Sequence, residues 1–211
     1  YGLTEGAGSC TLEANLNPDK LHTVGKPGLG SEIVVLDEQG RVLPQGEVGE
    51  LAGRAPLMMK GYYKQEDKTR ELFWHDRDGR LFFKSGDMGK IDEDGFIVLL
   101  DRKKDMIISG GFNVYAADIE VLLLKHPEVV DVAVIGVPSD QWGESPMALA
   151  VRALGAKTTA EEIRTWANER LSKTQRLVAV EFRGQLPRST IGKIMKRELR
   201  APYWEGRASK I

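Results

Sequence analysis

The sequence predicts a β-rich, barrel-like unit followed by a small α+β unit, with a joint at residues 102–104. Three observations predict it. From about Gly25 to Asp101, short apolar runs alternate with turns rich in Asp and Gly. Beyond Asp105, strand-like runs alternate with segments whose apolar residues fall at helical spacing. Between the two textures stand five consecutive charges, Asp101 to Asp105. A joint between unlike units is where a hinge belongs, although charge patterning alone reads equally well as a solvated turn.

The elements follow in order. "EIVVL" is followed by the turn "DEQG" and then "RVL"; "DRDG" precedes "RLFFK"; "DEDG" separates "MGKI" from "FIVLL". Such turns favour hairpins, because Gly accepts positive φ. In "AADIEVLLLKH", Ile119, Leu122 and Leu123 fall on one helical face, and Pro127 lies just beyond. "VVDVAVIGV", "MALAVRA" and "LVAVEF" read as strands. "TTAEEIRTWANERLSK" reads as a helix, with Thr159 and Glu162 at capping-box spacing. "LPRSTIGKIMKREL" reads as a polar loop entering a short basic helix.

Composition excludes several classes. The chain has 211 residues, with 30 basic and 31 acidic side chains. That balance gives no pull toward nucleic acid or an anionic membrane, and aromatics are not interleaved with the bases of "GKIMKRELR" as stacking on nucleobases requires. The single cysteine, Cys10, cannot form an internal disulfide, which fits a reducing, cytoplasmic setting. No apolar run approaches the ~20 residues of a membrane span. The chain starts at Tyr1 without an initiator Met and reads as the interior of a longer protein.

Four stretches carry chemistry: "YGLTE" (residues 1–5), "FKSGD" (83–87), "DRKKDMIISGGFNVYAADIE" (101–120) and "PRSTIGKIMKREL" (187–199). In that order and at roughly that spacing, they resemble the C-terminal part of an AMP-forming acyl-CoA synthetase of the adenylate-forming superfamily. The resemblance implies that residues 1–101 are the end of a large N-terminal domain, 102–104 a hinge, and 105–211 a small mobile lid. It implies ATP-dependent activation of a carboxylic acid, with a fatty acid as the expected class, to acyl-AMP. Transfer to coenzyme A follows, with Mg²⁺ as the metal. Catalysis of the first step is mostly positioning and charge neutralisation around phosphates.

Residue by residue, the resemblance makes Tyr1 an adenine-packing aromatic and Thr4 a phosphate contact. Glu5 becomes a Mg²⁺ ligand, since a lone carboxylate with waters suits a hard cation bridging phosphate oxygens. Asp87 binds both ribose hydroxyls, because a carboxylate can accept two O–H bonds, and Arg102 contacts the ribose. Lys104 falls at the hinge position. Gly110 and Gly111 match the loop lining the pantetheine channel, where the missing Cβ lets backbone approach a thin ligand. Trp142 matches an aromatic at the coenzyme A nucleotide. Lys193 matches the catalytic lysine, a compact charge on a flexible stem. Taken singly, each has a bland reading: an ordinary tyrosine, surface charges, a turn-forming aspartate, a loop tryptophan, a basic helix.

The sequence departs from the family pattern in two places. Thr174, Gln175, Arg176 and Leu177 stand where an aromatic and a lysine that can serve coenzyme A are usual, and Asp118 replaces a usual Glu. The family's phosphate-binding loop and most of its acyl pocket precede "YGLTE". The 211-residue chain by itself is therefore expected to be inactive, for want of the backbone N–H groups that hold the β- and γ-phosphates. ATP–pyrophosphate exchange by the purified chain would overturn this. Two other functions stay open: acyl transfer to a carrier-protein thiol, and a non-catalytic binding module.

Overall fold

The computed structural model describes residues 1–206. Its contacts divide the chain into two compact units, Tyr1–Lys103 and one beginning at Lys104.

The first unit contains β1 (Cys10–Thr11), β2 (Lys26–Pro27), β3 (Glu32–Leu36), β4 (Gly49–Arg54), α1 (Glu66–Leu72), β5 (Phe73–His75), β6 (Leu81–Ile91) and β7 (Ile97–Arg102). β1 and β2 form a separate two-stranded pair; the other five strands form one antiparallel sheet. The barrel-like expectation is corrected: this sheet is open. β3 and β4 lie to one side of the long β6, while β5 pairs with its first part and β7 with its last part. Among the described residues no strand pairing joins β3 to β5 or β7.

Three hairpins share one turn. Asp37, Asp76 and Asp92 each accept, through Oδ1, the backbone N–H groups two and four residues on. Each also accepts at its carbonyl the N–H of a glycine three residues on, at φ +75°, +75° and +83°. Aspartate opens the turn because its short carboxylate reaches those amides; glycine closes it because the left-handed region is open to it. Successive residues of the strands face opposite ways. Val35 and Leu51 pack with Cys10 and Ile97, whereas Leu36 and Ala52 pack with Phe82. The lone cysteine is thus a buried core residue.

The second unit contains β8 (Ile107–Ser109), β9 (Phe112–Val114), α2 (Ala116–Leu123), β10 (Val129–Ser139), β11 (Gly143–Arg152), α3 (Ala160–Asn168), β12 (Ala179–Phe182) and α4 (Lys196–Arg200). β10 and β11 form a long antiparallel hairpin, β12 adds in parallel to β11, and β8–β9 attach at the Gly143 end. Thr159 accepts from the Glu162 amide while Glu162 accepts from that of Thr159, completing the expected capping box of α3.

The sheet is covered on both faces. Val132 and Val134 meet Ile119 and Leu123 of α2 and Ile163 and Ala167 of α3. Ala133, Ile135 and Val137 point the other way, to Leu186, Ile194, Leu199 and Tyr203. Residues 132–137 of β10 therefore read as an unbroken apolar run. The C-terminal segment that carries Lys193 is the cover of the second face.

Candidate active site

In the first unit, a bulge presents Asp87. Between the pairs Ala52–Lys84 and Glu50–Met88, β4 has only Leu51 while β6 has Ser85, Gly86 and Asp87. Gly86 sits at φ +72° with open space where a Cβ would be. Ser85 Oγ donates to the Leu51 carbonyl at 2.8 Å and accepts the Asp87 amide at 3.0 Å, so the bulge is stapled. Bulges re-aim side chains beside functional sites. Asp87 is buried. Its Oδ2 accepts the Tyr1 hydroxyl at 2.7 Å, and Arg102, its register partner on β7, places Nε 3.4 Å from Oδ1. The structure thus brings Tyr1, Asp87 and Arg102 together. Burial first, then the bond to Asp87, holds the Tyr1 phenol protonated well above the ordinary tyrosine range.

Thr4 and Glu5 lie in the adjoining turn, Thr4 exposed and Glu5 half-buried. The turn is closed by the Gly6 amide on the Leu3 carbonyl, and the Glu5 carbonyl accepts the Met59 amide at 2.8 Å. Gly6 is required there: at φ +67°, an added Cβ would stand 2.5 Å from the Leu57 carbonyl oxygen. Tyr62 donates its hydroxyl to Glu5 Oε1 at 2.7 Å. One carboxylate oxygen is thereby fixed and the other left for a cation, a fit with Mg²⁺ held by one carboxylate, water and phosphate oxygens. Among the described residues no cluster of three or more metal-ligating side chains exists.

The Glu5 carboxylate, first, and partial burial, second, push the Tyr62 phenol up to about 12. The ordinary value is about 10. With the folded value raised, the contribution of this bond to stability is complete below the unfolded value and is lost as pH climbs through the folded one. In an NMR titration of the metal-free protein, Tyr62 is expected to stay protonated through about pH 11, and Glu5→Gln to return it toward about 10. A Tyr62 titration indifferent to Glu5→Gln would show that the bond does not form.

The charged joint is more ordered than a solvated turn. The Lys103 amide donates to the Gly86 carbonyl at 2.8 Å, and its ammonium pairs with the buried Glu50 at 2.7 Å. Lys104 is exposed in a turn, and its carbonyl accepts from Arg200 at 3.4 Å.

In the second unit, Gly110 and Gly111 form the two-residue turn between β8 and β9, with φ of +59° and +83°. Positive φ at both central residues is the hairpin turn that matches strand twist. The Gly110 amide donates to the Trp142 carbonyl at 2.8 Å. A Cβ on Gly110 would come within 2.7 Å of Trp142 Cε3, whereas Gly111 faces open space. Trp142 is 49% exposed, and Phe112 and Ile108 on the β8–β9 hairpin are exposed as well. Leu177 is a core residue whose backbone is clamped by Asn168.

Lys193 lies on a tight turn. The Ser189 amide donates to the Lys193 carbonyl at 2.8 Å, and the Lys193 amide donates to Ser189 Oγ at 3.2 Å. Its side chain is exposed. Lys196, by contrast, is no solvated base: it pairs with Glu120 at 2.8 Å, both side chains largely buried.

Sequence reasoning passed over Tyr62, Glu50, Arg188 and Asp131. Arg188 and Ser85 had a signal, their places inside "PRSTIGKIMKREL" and "FKSGD"; Tyr62, Glu50 and Asp131 had none.

The chain belongs to the AMP-binding, adenylate-forming family of enzymes. The model of the AMP-binding enzyme matches residues 1–63, and that of the AMP-binding enzyme C-terminal domain matches residues 118–193. Among its relatives are acyl-CoA ligases. A 2-succinylbenzoate–CoA ligase of Bacillus cytotoxicus is 39% identical over 95% of this chain and 40% of its own length. A feruloyl-CoA synthase of Amycolatopsis is 39% identical over 96% of this chain and 40% of its own. The structure of o-succinylbenzoate CoA synthetase from Bacillus subtilis with its acyl-adenylate intermediate matches at a TM-score of 0.84 and 34% identity, over 94% of this chain and 40% of that one. The chain thus spans about 40% of the length of the relatives it matches. Among the described residues no helix is long and apolar enough to cross a membrane.

Proposed function

We propose that the full-length protein activates a carboxylic acid with ATP and transfers the acyl group to coenzyme A. A carboxylate oxygen attacks the α-phosphorus and pyrophosphate leaves. The thiol sulfur then attacks the acyl carbonyl, its proton goes to solvent, and AMP leaves. Asp87 and Arg102 hold the ribose, Tyr1 packs against adenine, and Thr4 contacts phosphate. Glu5, oriented by Tyr62, holds Mg²⁺, which neutralises phosphate charge when bound. Lys193 meets the charge that develops between carboxylate and α-phosphate. Gly110, Gly111 and Trp142 receive coenzyme A, and Lys104 is the pivot between the 1–101 domain and the 105–211 lid that lets each half-reaction have its own arrangement.

The observation that most supports this reading is the buried Asp87 carboxylate on its glycine bulge, already accepting a hydroxyl and facing a guanidinium. Each of its oxygens has a lone pair to spare for a ribose diol. For the acid, an aryl-bearing carboxylate replaces the expected fatty acid, because the relatives named for their acids are succinylbenzoate and feruloyl ligases.

The test is a panel of aryl and straight-chain acids given to the full-length enzyme with ATP and coenzyme A. Equal yields of AMP, pyrophosphate and thioester from an aryl acid are expected. ADP as product would sink the reaction class. Thioester only on a carrier protein would move the acceptor, and preference for straight-chain acids would overturn the substrate.

A further inference from the structure

The Lys193 turn is held by two ion pairs that no motif assigns. Arg188, at the start of the turn, uses both guanidinium ends. One Nη donates to the Gly192 carbonyl at 2.8 Å, closing the turn on itself; the other meets Asp131 Oδ2 at 2.6 Å. Asp131 stands on β10 of the central sheet, and its other carboxylate oxygen accepts the Val132 amide at 3.1 Å. At the far side of the turn, Lys196 meets Glu120 Oε1, which also accepts the Val134 amide at 2.7 Å. The apolar anchors Ile194 and Leu199 seat the same segment on the sheet. The segment is therefore fixed at both ends; of the two ion pairs, only the first reaches a neighbour of Lys193, the Gly192 carbonyl, while Ile194 on its other side is seated by packing.

We infer that Arg188 and Asp131 are a positioning pair that sets where the Lys193 ammonium is delivered during acyl-adenylate formation. The inference rests on the assignment of Lys193 made above. A planar fork can bond a carbonyl and a carboxylate at once, which a lysine ammonium does less well. Fixing Gly192 fixes the Cα of Lys193 one residue on. Misplacing a reacting group by about 1 Å can cost a hundredfold in rate. Because the pair is partly exposed and the apolar anchors remain without it, its loss should move the turn without unfolding the unit.

The experiment uses the full-length enzyme and reads both half-reactions: ATP–pyrophosphate exchange, and thioester formation from supplied synthetic acyl-adenylate. Arg188→Gln and Asp131→Asn should each lower the kcat of exchange by about tenfold or more, with KM for ATP and the thioester half-reaction within about twofold. The double variant should be no worse than either single, since the two act as one unit. Arg188→Lys should recover only part of the rate, because it keeps the charge on Asp131 and loses the bond to Gly192. Equal loss in both half-reactions, or additive singles, would overturn the pair as a positioning device. Lys193→Ala runs beside them. Exchange that survives Lys193→Ala brings down the assignment of Lys193 itself, and the inference with it. Exchange lost in Lys193→Ala but normal in Arg188→Gln brings down the inference alone.

Discussion

Replacing Lys193 by alanine in the full-length enzyme is expected to slow ATP–pyrophosphate exchange about 10²–10³-fold, the cost of removing one positioned donor from developing charge. Thioester formation from supplied acyl-adenylate should change by less than about threefold, because the second step breaks the acyl–phosphate bond with AMP already a good leaving group. The structure makes this a clean substitution. The bonds that shape the turn run from Ser189 to the Lys193 main chain and from Arg188 to the Gly192 carbonyl; alanine keeps all of them. The side chain itself is exposed, so no packing is lost and the melting temperature should not move. Equal loss in both half-reactions would count against separate roles for the two arrangements, and no loss of exchange would remove Lys193 from the chemistry.

What could be read in advance was what is local. Each Asp-x-x-Gly turn carries its own instructions: a carboxylate for two amides and a glycine for positive φ. The capping box of α3 needs only residues three apart. The site residues that sequence reasoning named sit inside short stretches for the same reason. What was not legible was pairing at a distance. Whether the strands of the first unit close depends on which edges of β6 are taken by β5 and β7, and turn residues do not encode that. The second face of the β10 sheet is covered by Leu186, Ile194, Leu199 and Tyr203, whose spacing fits neither helix nor strand. The partners of Glu5 and of Arg188 are ordinary residues far along the chain: Tyr62 is 57 positions from Glu5, and Asp131 is 57 from Arg188. The charge run at 101–105 was legible, but not its order: Arg102 and Lys103 are both paired within the first unit, on Asp87 and Glu50.

That order bears on the second large effect. Lys104→Pro is expected to slow one half-reaction about a hundredfold and spare the other. Lys103 is bonded by its amide to Gly86 and by its ammonium to Glu50, so it belongs to the first unit, while the Lys104 carbonyl accepts from Arg200 of the second. If Lys104 is the pivot proposed above, the dihedral change falls on the bonds that join Lys103 to Lys104 and those just beyond. Among the described residues the Lys104 amide donates to no backbone carbonyl, and Lys104 is not among the residues with positive φ. Proline can therefore be placed there without breaking a bond. What it removes is choice: φ is fixed near −65° and Lys103 is driven from the helical region. A pose that needs the excluded dihedrals is penalised by about 3 kcal/mol, the cost of proline in a forbidden setting, or roughly a hundredfold in rate. If the permitted pose is that of adenylation, pyrophosphate exchange survives and thioester formation from supplied acyl-adenylate falls about a hundredfold. Lys104→Ala separates the two properties of the residue, since it removes the charge and keeps the rotation; it should run both half-reactions normally. Loss in Lys104→Ala equal to that in Lys104→Pro would make the ammonium, not the backbone, the reason for a lysine here. Normal rates for both half-reactions in Lys104→Pro would show that the pivot lies elsewhere, and the charges at 101–105 would then be explained by their ion pairs alone.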